Sequence, residues 1–315
     1  MVNLLKSSHW WHTEIYFCMV GMQSFPQIQR FSMCPQSNSL AIRAIKIRKA
    51  KKLQAKMNQK ILVVACRGDR EYFPENTMPA FESAISKGAD GIELDVHYTV
   101  DKELVVHHFF NLGHTDNGKG IVCEQTLAKL KSLDSGGWFG NQFIGVTKPT
   151  LSEVMQCCKG RIRFEIDMKD SSLEFLQKVI EKVENFDLVN DVELTTFHYP
   201  LLIQVKKINP QIRTGAFFYN PPKYLPVQIA QKHYADWAEL LGINVVHLDY
   251  VLLSPDFIEK LHQTGFLVYG SNLDTVKKIK KGLELGVDTF STGKIELAIK
   301  LRNEHMNKNS INGIG

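Results

Sequence analysis

The sequence predicts an α/β fold, a (β/α)8 TIM barrel with an inserted hairpin and small subdomain after the second barrel strand. Three observations predict it. From residue 57 onward, short apolar runs alternate with longer segments of helical period, which is the order of a parallel sheet with helical crossovers. The first of these runs, Ile61 to Ala65, is apolar without interruption, as a strand buried on both faces must be. Eight such strands fit the roughly 250 residues typical of a barrel.

In chain order, the first strand ends in Cys66-Arg67-Gly68, so polar side chains sit where it stops. Asn76 or Thr77 then caps a helix with Pro79 in its first turn, where a missing N–H costs nothing, and with Gly88 as its left-handed stop. The second strand is Gly91 to His97, with Ile92, Leu94 and Val96 on one face and Glu93 and Asp95 on the other. The link Thr99 to Lys102 is too short for a parallel crossover, which needs about a dozen residues, so Glu103 to His108 returns as a hairpin arm. Residues 109–149 hold a helix near 125–132 and the turn SGGWFGNQF but no barrel strand. Trp138, Phe139 and Phe143 are too many aromatics for a solvated loop, and they form either a small local core or a substrate contact. The remaining strands read as 162–168, 191–197, 212–218, 243–249, 266–269 and 287–291, with helices near 173–185, 199–208, 224–241, 255–264 and 273–285.

Charge divides the chain. Residues 1–56 carry nine Lys or Arg against the single acid Glu14, a surplus of eight; with +5 for the whole chain, residues 57–315 are at −3. The basic pI therefore belongs to the extension and does not argue for nucleic acid binding by the domain. Three readings of 1–56 stand: a poorly ordered extension, with Met57 directly before the first strand; an organelle transit peptide; or a basic amphipathic helix over 41–56 in weak contact with a membrane surface. The barrel is expected over 57–303, its insertion over about 99–149, and a polar tail over 304–315. Six cysteines without a disulfide framework, and no apolar run of about eighteen residues, give a cytoplasmic protein, or an organellar one if the leader directs it.

The chemistry concentrates between Ile61 and His108. Two carboxylates on one face of a buried strand repel each other and need a cation between them, most simply a divalent metal. The hairpin brings His107 or His108 back near Glu93 and Asp95, and the two point to opposite faces. Metal, imidazole and the cationic Arg67 together suit phosphodiester cleavage, in which a metal stabilises charge on oxygen and a positioned imidazole moves protons. Glu75 either holds Arg67, borders the metal or serves as a local helix cap.

These residues also carry a resemblance. Arg67-Gly68, Pro74-Glu75-Asn76-Thr77, Glu93-Leu94-Asp95 and His108, continued by 118–134, Pro149-Thr150-Leu151, 166–169 and Gly286-Val287-Asp288, resemble the glycerophosphodiester phosphodiesterases over about residues 60–300. The resemblance implies metal-dependent hydrolysis of small-molecule glycerophosphodiesters such as glycerophosphocholine to glycerol 3-phosphate and an alcohol. It implies a third metal carboxylate at Asp167, followed two residues later by Lys169; Glu165 has the same parity and is the alternative. An all-oxygen ligand set of Glu93, Asp95 and Asp167 selects Mg²⁺ or Ca²⁺. It further implies phosphate binding by Arg67 and Lys169, acid–base work by His108, substrate contacts from Tyr269 and Asn272, and an insertion that covers the site.

Three positions depart from the pattern: Cys66 stands for the family's first catalytic histidine, Phe109 for the aspartate after the second, and His114 for an arginine. A thiol shifts protons only if its pKa is lowered, and as a thiolate it would instead bind the metal. Two further readings follow, a catalytically impaired barrel that binds phosphodiesters, and a lysophospholipase D-like activity.

Overall fold

The computed structural model describes residues 60–312, with side chains through 308, so the readings that concern 1–56 lie outside the described residues. Eight parallel strands close on themselves: β1 (Leu62–Cys66), β2 (Gly91–Tyr98), then β4 (Arg163–Met168), β5 (Val192–Thr196), β6 (Arg213–Phe218), β7 (Val245–Leu248), β8 (Leu267–Gly270) and β9 (Thr289–Thr292), which pairs back onto β1. The arm β3 (Leu104–Val106) runs antiparallel to β2 outside the ring, with Val96 opposite Val106 and Tyr98 opposite Leu104. This is the expected barrel with its hairpin.

Alternation along the strands sorts the chain into two environments. Ile92, Leu94 and Val96, and likewise Phe164, Ile166 and Met168, point outward and are buried under the helices. Each such side chain contributes about 1.5–3 kcal/mol on leaving water, so the stabilising core is the ring between strands and helices. The opposite residues of the same strands, Glu93, Asp95, Glu165 and Asp167, fill the lumen. The lumen is free to carry charge because the outer ring holds the fold.

The crossovers are α1 (Met78–Ser86), α3 (Leu151–Cys158), α4 (Leu173–Asn185), α5 (Tyr199–Ile208), α6 (Val227–Leu241), α7 (Pro255–Thr264) and α8 (Val276–Leu285), α2 (Leu127–Lys131) belongs to the insertion, and α9 (Ile295–Asn312) follows β9. Thr77 occupies the N-cap position of α1, with Pro79 in the first turn as expected, but its hydroxyl donates to the Pro74 carbonyl (2.6 Å) instead of capping the helix. Helices α6 and α8 begin three residues later than the sequence reading places them. Pro226 holds an extended conformation before α6, and Thr275 caps α8 by accepting from the Lys278 N–H (3.3 Å). The sequence reading lacks α3 and α9. A capping box of Thr150 and Glu153 starts α3, and α9 continues through Asn312, so the polar tail is helical that far.

Within the insertion the local core is aliphatic, made by Val105, Leu112, Val122, Leu130 and Leu133. The aromatics form a chain across its edge, Trp138 to Phe139 to Phe143, and Phe143 meets Phe73 of the β1–α1 loop at 5.5 Å. A buried ion pair pins the segment: Lys148 Nζ lies 2.9 Å from Asp116 Oδ2 and donates to Ser135 Oγ, while Asp116 Oδ1 accepts from the Gly113 and Gly118 N–H groups. Removing one partner strands the other charge out of water, which costs about 3–5 kcal/mol. Asp116→Ala should therefore lower stability by about that amount in chemical denaturation; a loss under 1 kcal/mol would mean that the pair does not anchor the insertion.

Candidate active site

The strand register sets the site. Cys66 lies beside Glu93 across β1 and β2, and Asp95 beside Asp167 across β2 and β4. Glu93, Asp95 and Asp167 each present an oxygen within 4.8 Å of the others, all buried. Just past β1, Arg67 adopts a left-handed backbone (φ 57°) that turns its N–H onto Glu93, both the carbonyl (3.0 Å) and Oε2 (2.9 Å). Gly68 follows at φ 80°, where a Cβ would fall 2.8 Å from the Ala80 backbone, so only glycine lets this turn pack on α1.

The Arg67 guanidinium is clamped between Glu75, through Nη1 to both carboxylate oxygens (3.0 and 3.2 Å), and Asp95, 3.4 Å from Nε. Asn76, also left-handed (φ 56°), donates from Nδ2 to Asp95 Oδ2 (2.8 Å). Lys169 Nζ bridges Asp95 (2.8 Å) and Asp167 (2.5 Å). The hairpin turns its two histidines apart, as parity requires. His107 faces the insertion, 3.8 Å from Asp116, and His108 faces the charged cluster, where Asp95, Arg67 and Lys169 all act on it.

Burial and the neighbouring Asp95 push Glu93 up to about 8, and burial pushes Asp167 up to about 6. Asp95 stays low, because Lys169 and Arg67 outweigh its burial. Burial lowers His108 to about 4, leaving it neutral near pH 7. The Cys66 thiol is pushed well up, first by burial and then by Glu93, so it is protonated. The buried Asp167 Oδ1 accepts no hydrogen bond. A set of three buried carboxylates with an oxygen left unsatisfied fits a hard divalent cation.

Not every expected site residue arrives at the mouth. Glu165 lies a layer deeper, 3.5 Å from His247 Nδ1, whose Nε2 meets Glu193 at 2.5 Å. Gly215 makes room for this pair, since a Cβ there would fall 2.4 Å from Glu193 Oε1. Tyr269 is also in the deeper layer, 2% exposed and stacked on His247 at 4.0 Å. Asn272 reaches the mouth in a left-handed conformation (φ 53°), its Oδ1 3.5 Å from Arg70. Two positioning residues escaped the sequence reading. Asn76 lies in the Pro-Glu-Asn-Thr motif, where its type and position read as a helix cap, and Arg70, paired with Asp274 at 2.8 Å, carries no signal beyond its place after a strand end. Among the described residues no helix is long and apolar enough to cross a membrane.

Comparison with known proteins gives consistent matches. The model of the glycerophosphoryl diester phosphodiesterase family matches residues 67–297. A glycerophosphodiester phosphodiesterase of Caldanaerobacter subterraneus is 32% identical over 246 residues, covering 77% of this chain and 98% of that one. One from Bacillus altitudinis is 32% identical over 251 residues, with 77% and 98% covered. Among solved structures, the Agrobacterium tumefaciens glycerophosphodiester phosphodiesterase superposes with a TM-score of 0.67 at 25% identity, covering 76% of this chain and 99% of that one. An Oleispira antarctica phosphodiesterase in complex with the product sn-glycerol-3-phosphate gives 0.69 at 22% identity, covering 77% and 96%.

The raised Glu93 has a signed consequence. Between the ordinary 4.5 and about 8, the folded protein holds a proton that the unfolded chain has released, so this group's contribution falls as pH rises. His97, His107 and His108, lowered to about 4, 3 and 4 from 6.5, act in the opposite sense, but only below about 6.5. In chelator the melting temperature should therefore decline from about pH 6.5 to about pH 8, and Glu93→Gln should lessen the decline. A midpoint that rises across that window in both proteins would contradict the assignment.

Proposed function

This chain belongs to the glycerophosphoryl diester phosphodiesterase family, and we propose that it hydrolyses small glycerophosphodiesters to glycerol 3-phosphate and an alcohol with the help of a divalent cation. The observation that carries the reading is the convergence of Glu93, Asp95, Asp167, Arg67, Lys169 and His108 at one end of the lumen. The product named for the Oleispira protein agrees with it.

Glu93, Asp95 and Asp167 would hold Mg²⁺ or Ca²⁺, which supplies electrophilic stabilisation of charge on the phosphodiester oxygens. Arg67, with its fork fixed by Glu75, binds phosphate oxygens, and Lys169 adds a second positive charge. His108 is neutral near pH 7 and can accept the proton of the attacking hydroxyl. Among the described residues no carboxylate orients its ring. Phe109 packs edge-on against it at 4.5 Å and stacks on His114, and the buried Nδ1 has no hydrogen-bond partner. Cys66, buried and protonated, cannot serve as a base and is a poor acid.

An enzyme with one acid–base partner weakened loses about 10²- to 10⁴-fold in rate. That protonated thiol also favours the second reading, a barrel that binds phosphodiesters with little turnover. The full-length protein is tested for glycerol 3-phosphate release from glycerophosphocholine with Mg²⁺, with Ca²⁺ and with chelator. Release by the wild type should be chelator-sensitive, and His108→Ala should lower it about 10²- to 10⁴-fold. Cys66→His should raise kcat at unchanged metal affinity. Release by Cys66→His alone, with none from the wild type, would put the binding reading ahead.

A further inference from the structure

We propose that the stacked rings of Phe217, Phe197 and Tyr219, at the ends of β5 and β6, form a wall that receives the quaternary ammonium of the leaving alcohol, which makes choline diesters the favoured substrate class. The inference rests on the phosphodiesterase reading above and deepens it. Register places the wall. Thr195 pairs with Asp167 across β4 and β5, so Phe197, two residues on, stands on the lumen side one layer above the carboxylates. Thr195 also pairs with Gly215, which brings Phe217 alongside Phe197, and Tyr219 follows two residues later.

The rings are held in place. Phe217 and Phe197 stack at 4.8 Å and 26°, and Phe197 and Tyr219 at 4.6 Å and 12°. From below, Phe217 rests edge-on against His247 at 4.8 Å, and His247 is tied to Glu193. The Tyr219 carbonyl accepts from the Tyr234 hydroxyl (3.1 Å). Phe197, 39% exposed, stacks on both Phe217 and Tyr219, and Tyr219, 58% exposed, is the most open of the three rings. Its phenol is pushed up to about 12, first by burial and next by the charge of Asp167, which agrees with a place beside the site.

The chemistry of the wall selects its occupant. A ring face carries a negative quadrupole and attracts cations, with quaternary ammonium the best suited. Apart from one hydroxyl the wall offers no hydrogen-bond acceptor of its own, so it suits an ammonium bearing methyls better than one bearing N–H groups. Lys169 does not compete for it, because its ammonium is drawn onto Asp95 and Asp167. A lysophospholipid chain would need a long apolar trough, and this surface is three rings deep with one face open.

The test compares kcat/KM of the full-length protein for glycerophosphocholine and glycerophosphoglycerol, in wild type and Tyr219→Leu. It adds calorimetric binding of glycerophosphocholine and of sn-glycerol 3-phosphate in Ca²⁺. Tyr219→Leu should reduce the preference for the choline diester about 3- to 30-fold, in kcat/KM and in affinity relative to glycerol phosphate. Equal losses on both diesters would overturn the wall, as would lysophosphatidylcholine hydrolysis that strengthens with chain length and depends on Tyr219. If no diester is turned over but glycerophosphocholine binding still depends on Tyr219, the wall stands and only the hydrolytic reading fails.

Discussion

The interaction on which the rest depends is the pairing of Asp95 with two cations and an amide inside the barrel. Its carboxylate takes Lys169 on one oxygen and Asn76 and Arg67 on the other, and this keeps it ionised where burial alone would protonate it. Two of these three partners, Arg67 and Asn76, come from the β1–α1 loop, and both sit in left-handed backbone that most residues avoid. Such conformations cost of order 1–3 kcal/mol each and persist only where the surroundings overdetermine them. Here the Arg67 N–H bonds to Glu93, the Asn76 N–H bonds to the Arg67 carbonyl, and Gly68 closes onto α1. The strain is the local consequence of bringing a cation and an amide to a buried acid.

Stability and chemistry occupy opposite faces of the same strands. Outward residues of β2 and β4 are aliphatic or aromatic and fully covered, while inward residues are charged over two successive layers. The deeper layer, Glu165, Glu193, His247 and Tyr269, is linked by ion pairs and stacking, and in the upper layer Arg67 and Lys169 lie among the carboxylates.

Much of this was legible in the sequence, because period two sorts residues by face. Expected strands fall within two residues of those formed, and parity turned His107 and His108 correctly apart. What period cannot give is depth. Glu165 and Asp167 share a face, yet only Asp167 reaches the carboxylate cluster, and Tyr269 looked like a strand-end residue but lies a layer too low. Helix α3 was lost because eight residues give a weak period, although the Thr150 and Glu153 capping box announced it. Asn76 and Arg70 act through loop geometry, which leaves no periodic mark.

On the proposed reading, the replacement of histidine by Cys66 makes the acid–base pair unequal. A histidine at that strand end could take either role, since its ordinary pKa lies near neutrality. A thiol beside Glu93 and out of water can only give a proton, and gives it reluctantly. His108, lowered to about 4, can only take one near pH 7. The two groups are thus fixed in opposite roles by the same burial, one as donor and one as acceptor. On that reading metal and phosphate affinity would draw on neither, since Glu93, Asp95, Asp167, Arg67 and Lys169 would supply them. Substitution at position 66 therefore acts on turnover while the binding apparatus stays whole, and a sequence can drift at this strand end without losing its fold.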